Sequence, residues 1–183
     1  MHVVLLTDRL ETGGGLEHLF QTVRALPRVR FTVCAGDGEG RHRFRGLANA
    51  EVLVRGAGRA RILGLRPDLI HVHHLRPLLS FLGVPVPVCR VPLIFTVHGL
   101  HVRKYDHLGG LSGHGGRVLR QGLEKRLFRK VDRVIAVSGE DERFLRSRYG
   151  LTRSVRIENG VDIRALEAVP CDREELRREL GLP

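Results

Sequence analysis

The chain has 183 residues, 42% of them hydrophobic, which suits one domain with a core of its own and excludes a disordered chain. Lys and Arg number 31 against 20 Asp and Glu, a formal charge of +11, and every base except Lys104, Lys125 and Lys130 is arginine, whose planar fork suits phosphate and carboxylate. Such an excess reads either as a basic soluble surface or as a seat for an anionic membrane or a phosphorylated ligand. With 5% aromatic residues and no Trp, stacking platforms for single strands are excluded, and nucleic acid is not an expected partner.

In chain order, strand-like runs recur between helical ones. The strand "HVVLLT" (2–7) precedes the helix "LEHLFQTVRAL" (16–26) and the strand "VRFTVCA" (29–35). Next come the strands "AEVLVR" (50–55), "DLIHVH" (68–73) and "PLIFTVH" (92–98), with weaker helical material between them. A Gly-rich loop then leads to the helix "RVLRQGLEKRLFRKV" (117–131) and the strand "RVIAVS" (133–138). The helix "EDERFLRSRYG" (140–150) ends on a glycine, and "SVRIE" (154–158) is the last strand before an Asn-Gly turn. The strands are rich in Val, Ile and Leu with little alternation, so both faces should be buried. Strands alternating with helices predict an α/β fold: one Rossmann-like, doubly wound parallel sheet of about seven strands flanked by helices. In such a sheet ligands bind at the carboxyl ends of the strands. After Asp162 the pattern weakens to one short helix with Asp172 as N-cap and Gly181 as its stop. We divide the chain into a domain over 1–165 and a linker with helix over 166–183, leading to a further domain.

The candidate residues cluster at strand ends. "ETGGGLEHL" (11–19) joins the first strand to the first helix, where glycines let a ligand approach the backbone and helix amides attract an anion. It is neither a complete dinucleotide fingerprint, since His18 stands where the third glycine belongs, nor a P-loop. It reads as a flexible turn or as a diphosphate seat. His71 and His73 lie two apart on one strand and share a face. With His74, His98 and His101 they could hold a metal, but no carboxylate or thiol sits among them at ligand spacing, so no metal is expected. His73 and His98 both end strands and should line one crevice, where an imidazole can donate to a hydroxyl or phosphate or move a proton. Ser138 ends a strand too, yet lacks the G-x-S-x-G of a nucleophile elbow.

On the long helix, Leu119, Leu123, Leu127 and Val131 form an apolar stripe expected to face the core. Lys125, Arg126, Arg129, Lys130 and Arg133 form a basic patch, read either as a solvated face or as a seat for anionic headgroups or the acceptor. Cys34, Cys89 and Cys171 are far apart and odd in number, so neither a disulfide framework nor a zinc ribbon is expected. The cysteines and the start "MHVVLLTD", which has no basic leader region, point to the cytoplasm, with a peripheral seat on the inner face of the membrane as a second expectation.

Five segments, taken together and in order, resemble one family. "GGLE" (14–17), "RPDLIHVHH" (66–74), "LIFTVHGL" (93–100), "KVDRVIAVSGEDERFL" (130–145) and "RIENGVD" (156–162) are similar to the N-terminal domain of family-4 glycosyltransferases with the GT-B fold, although Glu158 replaces the usual proline. The resemblance implies a retaining enzyme that moves a sugar from a nucleoside-diphosphate donor, its substrate, to a sugar or lipid-linked acceptor, with no cofactor. It implies that Gly14 and Gly15 lie near the donor phosphates and that His98 faces the donor sugar as the catalytic residue. Glu17, His73, Gly99, His101, Arg103, Ser138 and Asn159 are the further substrate-binding candidates. The family's nucleotide-binding second domain is the expected partner, and without it the chain is expected to be inactive. The alternative is a binding module that holds a phosphorylated or anionic lipid ligand without catalysis.

Overall fold

A computed structural model describes residues 1–54, 58–83, 91–99, 111–167 and 172–182, with the backbone alone described at 111–117, 165, 166 and 173. His101, Arg103, Cys89 and Cys171 lie outside the described residues.

Seven strands form one parallel sheet: β1 (His2–Arg9), β2 (Arg30–Gly36), β3 (Ala50–Val54), β4 (Leu69–Val72), β5 (Leu93–Val97), β6 (Arg133–Ala136) and β7 (Ser154–Arg156). Their spatial order is β3-β2-β1-β4-β5-β6-β7, so the winding reverses between β1 and β4. A crevice opens at that reversal, outside the carboxyl ends of the two strands. The expected doubly wound α/β architecture is therefore the one observed.

Helices cover the sheet: α1 (Gly14–Ala25), α2 (Arg59–Gly64), α3 (Leu75–Leu82), α4 (Leu111–Phe128) and α5 (Gly139–Tyr149), with a 3-10 turn at Glu39–Phe44 and the short α6 (Ile163–Glu167) and α7 (Arg173–Glu179) after the sheet. Successive residues of β1 point to opposite faces and seed two cores. Val3 and Leu5 pack with Leu16, Leu19 and Val23 of α1. Val4 and Leu6 face the other way, joining the core that α3, α4 and α5 cover through Leu78, Phe81, Leu127 and Leu145. Gly150 ends α5 in the left-handed region at φ 66°, which a glycine adopts without strain, and Asp172 caps α7 by accepting from the amides of Glu174 and Glu175 at 2.9 and 3.1 Å.

Helix α4 departs from expectation twice. It begins at Leu111, so Gly113, Gly115 and Gly116, assigned above to a loop, are helical. The fold thus overrides the weak helix propensity of that stretch. Its apolar stripe is also only half buried: Leu127 and Val131 sit in the core, whereas Leu119 is 78% and Leu123 39% exposed. The inward side at that level is taken instead by Glu124, which is buried and accepts a hydrogen bond from the Tyr149 hydroxyl at 2.8 Å.

Gly38 holds the exit of β2 against the exit of β1. A Cβ there would collide with the Leu10 carbonyl and crowd the Glu11 amide, and the next turn is tied to the same carbonyl by the Gly40 amide at 2.8 Å. Gly38→Ala should therefore destabilise the fold by about 1–3 kcal/mol in urea-induced unfolding. Gly64→Ala, with open space at its Cβ, should cost nothing measurable. Equal unfolding midpoints for the two variants would refute this contact as a constraint.

Candidate functional site

The site follows from strand parity. His71 and His73 point to one face of β4, and Thr96 and His98 to one face of β5. The register pairs His71 with Ile94, which sets those two faces level. Each histidine then reaches the residue two beyond its neighbour: His71 Nε2 lies 2.7 Å from Thr96 Oγ1, and His73 Nδ1 lies 3.1 Å from His98 Nε2. Leu5, beside His71, belongs to the core under α1, so α1 covers this same face and brings His18 over the strand ends. The His18 ring stands 5.5 Å from that of His73 and 5.0 Å from that of His98, centroid to centroid. His74, one residue on, faces β1: its Nδ1 lies 2.8 Å from Thr7 Oγ1, and the Asp8 amide donates to it at 3.4 Å.

A cavity of about 210 Å³ opens here, lined by Gly15, His73, His74, His98, Gly99 and Glu124. Gly99 turns the chain away from it at φ +98°, a conformation that side chains rarely adopt. A second cavity, of about 190 Å³, lies between β1, β2, α2 and α3, with Arg59, Arg76 and Ser80 on its wall.

Burial sets the electrostatics. It pushes the pKa of His98 down to about 4 and that of His71 down to about 3, and holds His73 well below its ordinary value, with neighbouring imidazoles adding to each shift. His18 is lowered by burial too, partly opposed by a hydrogen bond with Asn159 that favours the protonated ring. All four rings are therefore neutral at pH 7 and can hydrogen-bond a hydroxyl without adding charge.

The expected residues divide by place. Gly15, His73, His98 and Gly99 line one cavity, as a shared crevice requires, and Asn159 joins the group through His18. Gly14 opens α1 next to them. Glu17 turns outward to an ion pair with Arg43 and a hydrogen bond with Gln21. Ser138 is the N-cap of α5, accepting from the Asp141 amide at 3.1 Å. The five bases do not form a helix face: Lys125 and Arg126 end α4, Arg129 and Lys130 lie in the turn, and Arg133 starts β6. A helix that links parallel strands runs against them, so this patch lies at the opposite edge of the sheet from the crevice. Sequence reasoning missed His18, treated only as a break in a glycine motif, and Glu124, hidden in a polar helix. A helix position one step past the aligned Glu17 was the available signal for His18.

The model of glycosyltransferase family 4 matches residues 3–165. The chain belongs to that family. It is 29% identical over 122 residues to the putative teichuronic acid biosynthesis glycosyltransferase TuaC of Bacillus subtilis (strain 168), a stretch covering 65% of this chain and 28% of TuaC. Among solved structures it resembles Alr3699/HepE of Anabaena in complex with UDP, with a TM-score of 0.69 at 20% identity over 99% of this chain and 50% of that one. It also resembles sucrose-phosphate synthase of Thermosynechococcus elongatus, with a TM-score of 0.65 at 16% identity over 100% of this chain and 53% of that one. These likenesses establish the Rossmann-like half of the GT-B fold. The chain spans about half the length of these solved relatives.

Buried neutral histidines make stability depend on acid in a defined window. Their folded pKa values lie below the unfolded value near 6.5, so the unfolded chain takes up protons first as the pH falls. Stability should be level above about pH 6.5 and decline from there toward pH 4, where His98 itself titrates. Thermal unfolding in the presence of EDTA at pH 7.5, 6.5, 5.5 and 5.0 should show this, with a shallower slope for His98→Gln. A midpoint that holds or rises through this range contradicts it.

Proposed function

We propose that the chain is the acceptor-side domain of a retaining glycosyltransferase that moves a sugar from a nucleoside diphosphate to a sugar or lipid-linked acceptor. The observation that carries this reading is His98, a neutral imidazole at the end of a central strand, facing a cavity at the winding reversal beside Gly99. Family membership supports the reaction class. HepE was solved with UDP and with UDP and glucose, which supports a nucleoside-diphosphate donor as the second substrate. His98 then serves as the catalytic residue, hydrogen-bonding a donor-sugar hydroxyl in the transition state, and Gly14 and Gly15 leave room for the donor's phosphates at the start of α1. His73 positions the His98 ring across their 3.1 Å contact.

The donor's nucleotide needs a second domain. Ile157, Val161 and Ile163 are 51–69% exposed after the last strand, and Ile157 and Val161 line an open hollow with His18 and Arg24. A nucleotide-binding domain packed there would cover them and close the crevice. Residues 166–183 then act as the linker. For the acceptor, the second cavity, where Arg59 and Arg76 share the wall with Asp8 and Ser80, offers charged and polar groups for the hydroxyls of a sugar.

The test uses the 183-residue chain beside a version joined to a family-4 nucleotide-binding domain. Transfer from a nucleoside-diphosphate sugar should be absent in the first and present in the second. In the joined enzyme His98→Ala should lower kcat about 100-fold or more while the thermal midpoint is retained. Robust transfer by the short chain, or full activity without His98, would refute the reading.

A second reading, binding without catalysis, draws on α4. Val118, Leu119 and Leu123 are exposed, and Arg126 shares their side of the helix. No helix among the described residues is long and apolar enough to cross a membrane, so a lipid contact here would be peripheral. Such a face can lie in a headgroup layer with its bases on anionic lipid. Sedimentation with vesicles should then show binding that requires anionic lipid, weakens with salt and falls several-fold in a Lys125→Glu, Arg126→Glu, Arg129→Glu variant. Binding indifferent to lipid charge and salt would remove the membrane from the account.

A further inference from the structure

We propose that His18, His73 and His98 form a three-histidine site for a divalent ion of the zinc class, with its fourth position open to the crevice. One ring nitrogen from each of the three lies within 4.8 Å of the other two. A tetrahedral zinc ion holds imidazole nitrogens at about 2.0–2.1 Å, which sets neighbouring ligands about 3.4 Å apart. His73 Nδ1 and His98 Nε2 already stand 3.1 Å apart. His18 supplies the third direction: its ring is tilted 52° to His73 and 71° to His98, and as a half-buried helix side chain it can make the remaining adjustment.

Coordination through His73 Nδ1 puts that ring's proton on Nε2, which has no hydrogen-bond partner among the described residues. Asn159 hydrogen-bonds the His18 ring and so restrains its orientation.

The donor set decides which ion. Three imidazoles with no carboxylate or thiolate suit Zn²⁺, Cu²⁺, Ni²⁺ or Co²⁺ and give no foothold to Mg²⁺ or Ca²⁺. The sequence expectation of no metal looked for carboxylates and thiols near His71, His73, His74, His98 and His101. Its set omitted His18, which the fold brings in from α1. Three protein ligands leave one position for water or a ligand oxygen. The ion would occupy the place where His98 otherwise meets a sugar hydroxyl. It is therefore a competitor of the donor and not a participant in transfer.

The test is titration of the 183-residue chain with Co²⁺, read by the visible absorption of the tetrahedral complex, and with Zn²⁺ by calorimetry. One equivalent should bind, and Mg²⁺ should give no heat. His18→Ala and His98→Gln should each weaken binding at least tenfold, whereas His42→Ala, an exposed histidine outside the cluster, should bind as the parent does. Should a variant fail to fold, the parent alone decides: Zn²⁺ must shift the ring resonances of His18, His73 and His98 together in its NMR spectrum. No one-to-one complex, binding untouched by His18→Ala, or shifts confined to other histidines would overturn the proposal.

Discussion

The site rests on the register between β4 and β5. Side chains alternate along a strand, so a slip of one residue would send Thr96 and His98 to the opposite face of the sheet from His71 and His73. The observed pairing of His71 with Ile94 and Val72 with Phe95 prevents this, because Val72 and Phe95 must both enter the core beneath α3 and α4. The apolar residues of the two strands thus determine where the polar ones emerge. The position of His98 is a consequence of burying Phe95 and Val97.

The polar layer this creates is unusual in being buried on a core face. His71, Thr96 and His73 are nearly inaccessible, and they satisfy much of their hydrogen bonding within the layer. An imidazole in such surroundings loses its charged form, which is why His98 titrates near 4. On the proposed reading, such a neutral ring would meet a sugar hydroxyl without drawing a donor's phosphates toward it, and the amides at the start of α1 would attract them instead.

The molecule is asymmetric about its sheet. The crevice edge carries the glycine loop, the histidines and the exposed Ile157 and Val161. The opposite edge carries Lys125, Arg126, Arg129, Lys130 and Arg133. These five bases thus lie away from the cavity that holds the histidines. A contact with an anionic surface at the basic edge would leave the crevice turned outward, open to a second domain.

The strands were legible because each is a short apolar run bounded by turn residues, and the two-residue spacing of His71 and His73 could be read directly as a shared face. The caps at Gly150 and Asp172 were legible for the same local reason. Helix α4 was not, since its glycines oppose helix formation when read locally, and its stripe gave no sign that Glu124 and not Leu119 would turn inward. The sequence by itself determined the parallel sheet, its glycine loop and the histidines at two strand ends, because these follow from local periodicity and chain order. Only the tertiary structure decided that His18 and Asn159 join them, that Glu17 and Ser138 serve a surface ion pair and a helix cap, and that the basic patch lies at the far edge. Those outcomes depend on which face a helix covers and which way it runs, and residues distant in the chain settle both through packing.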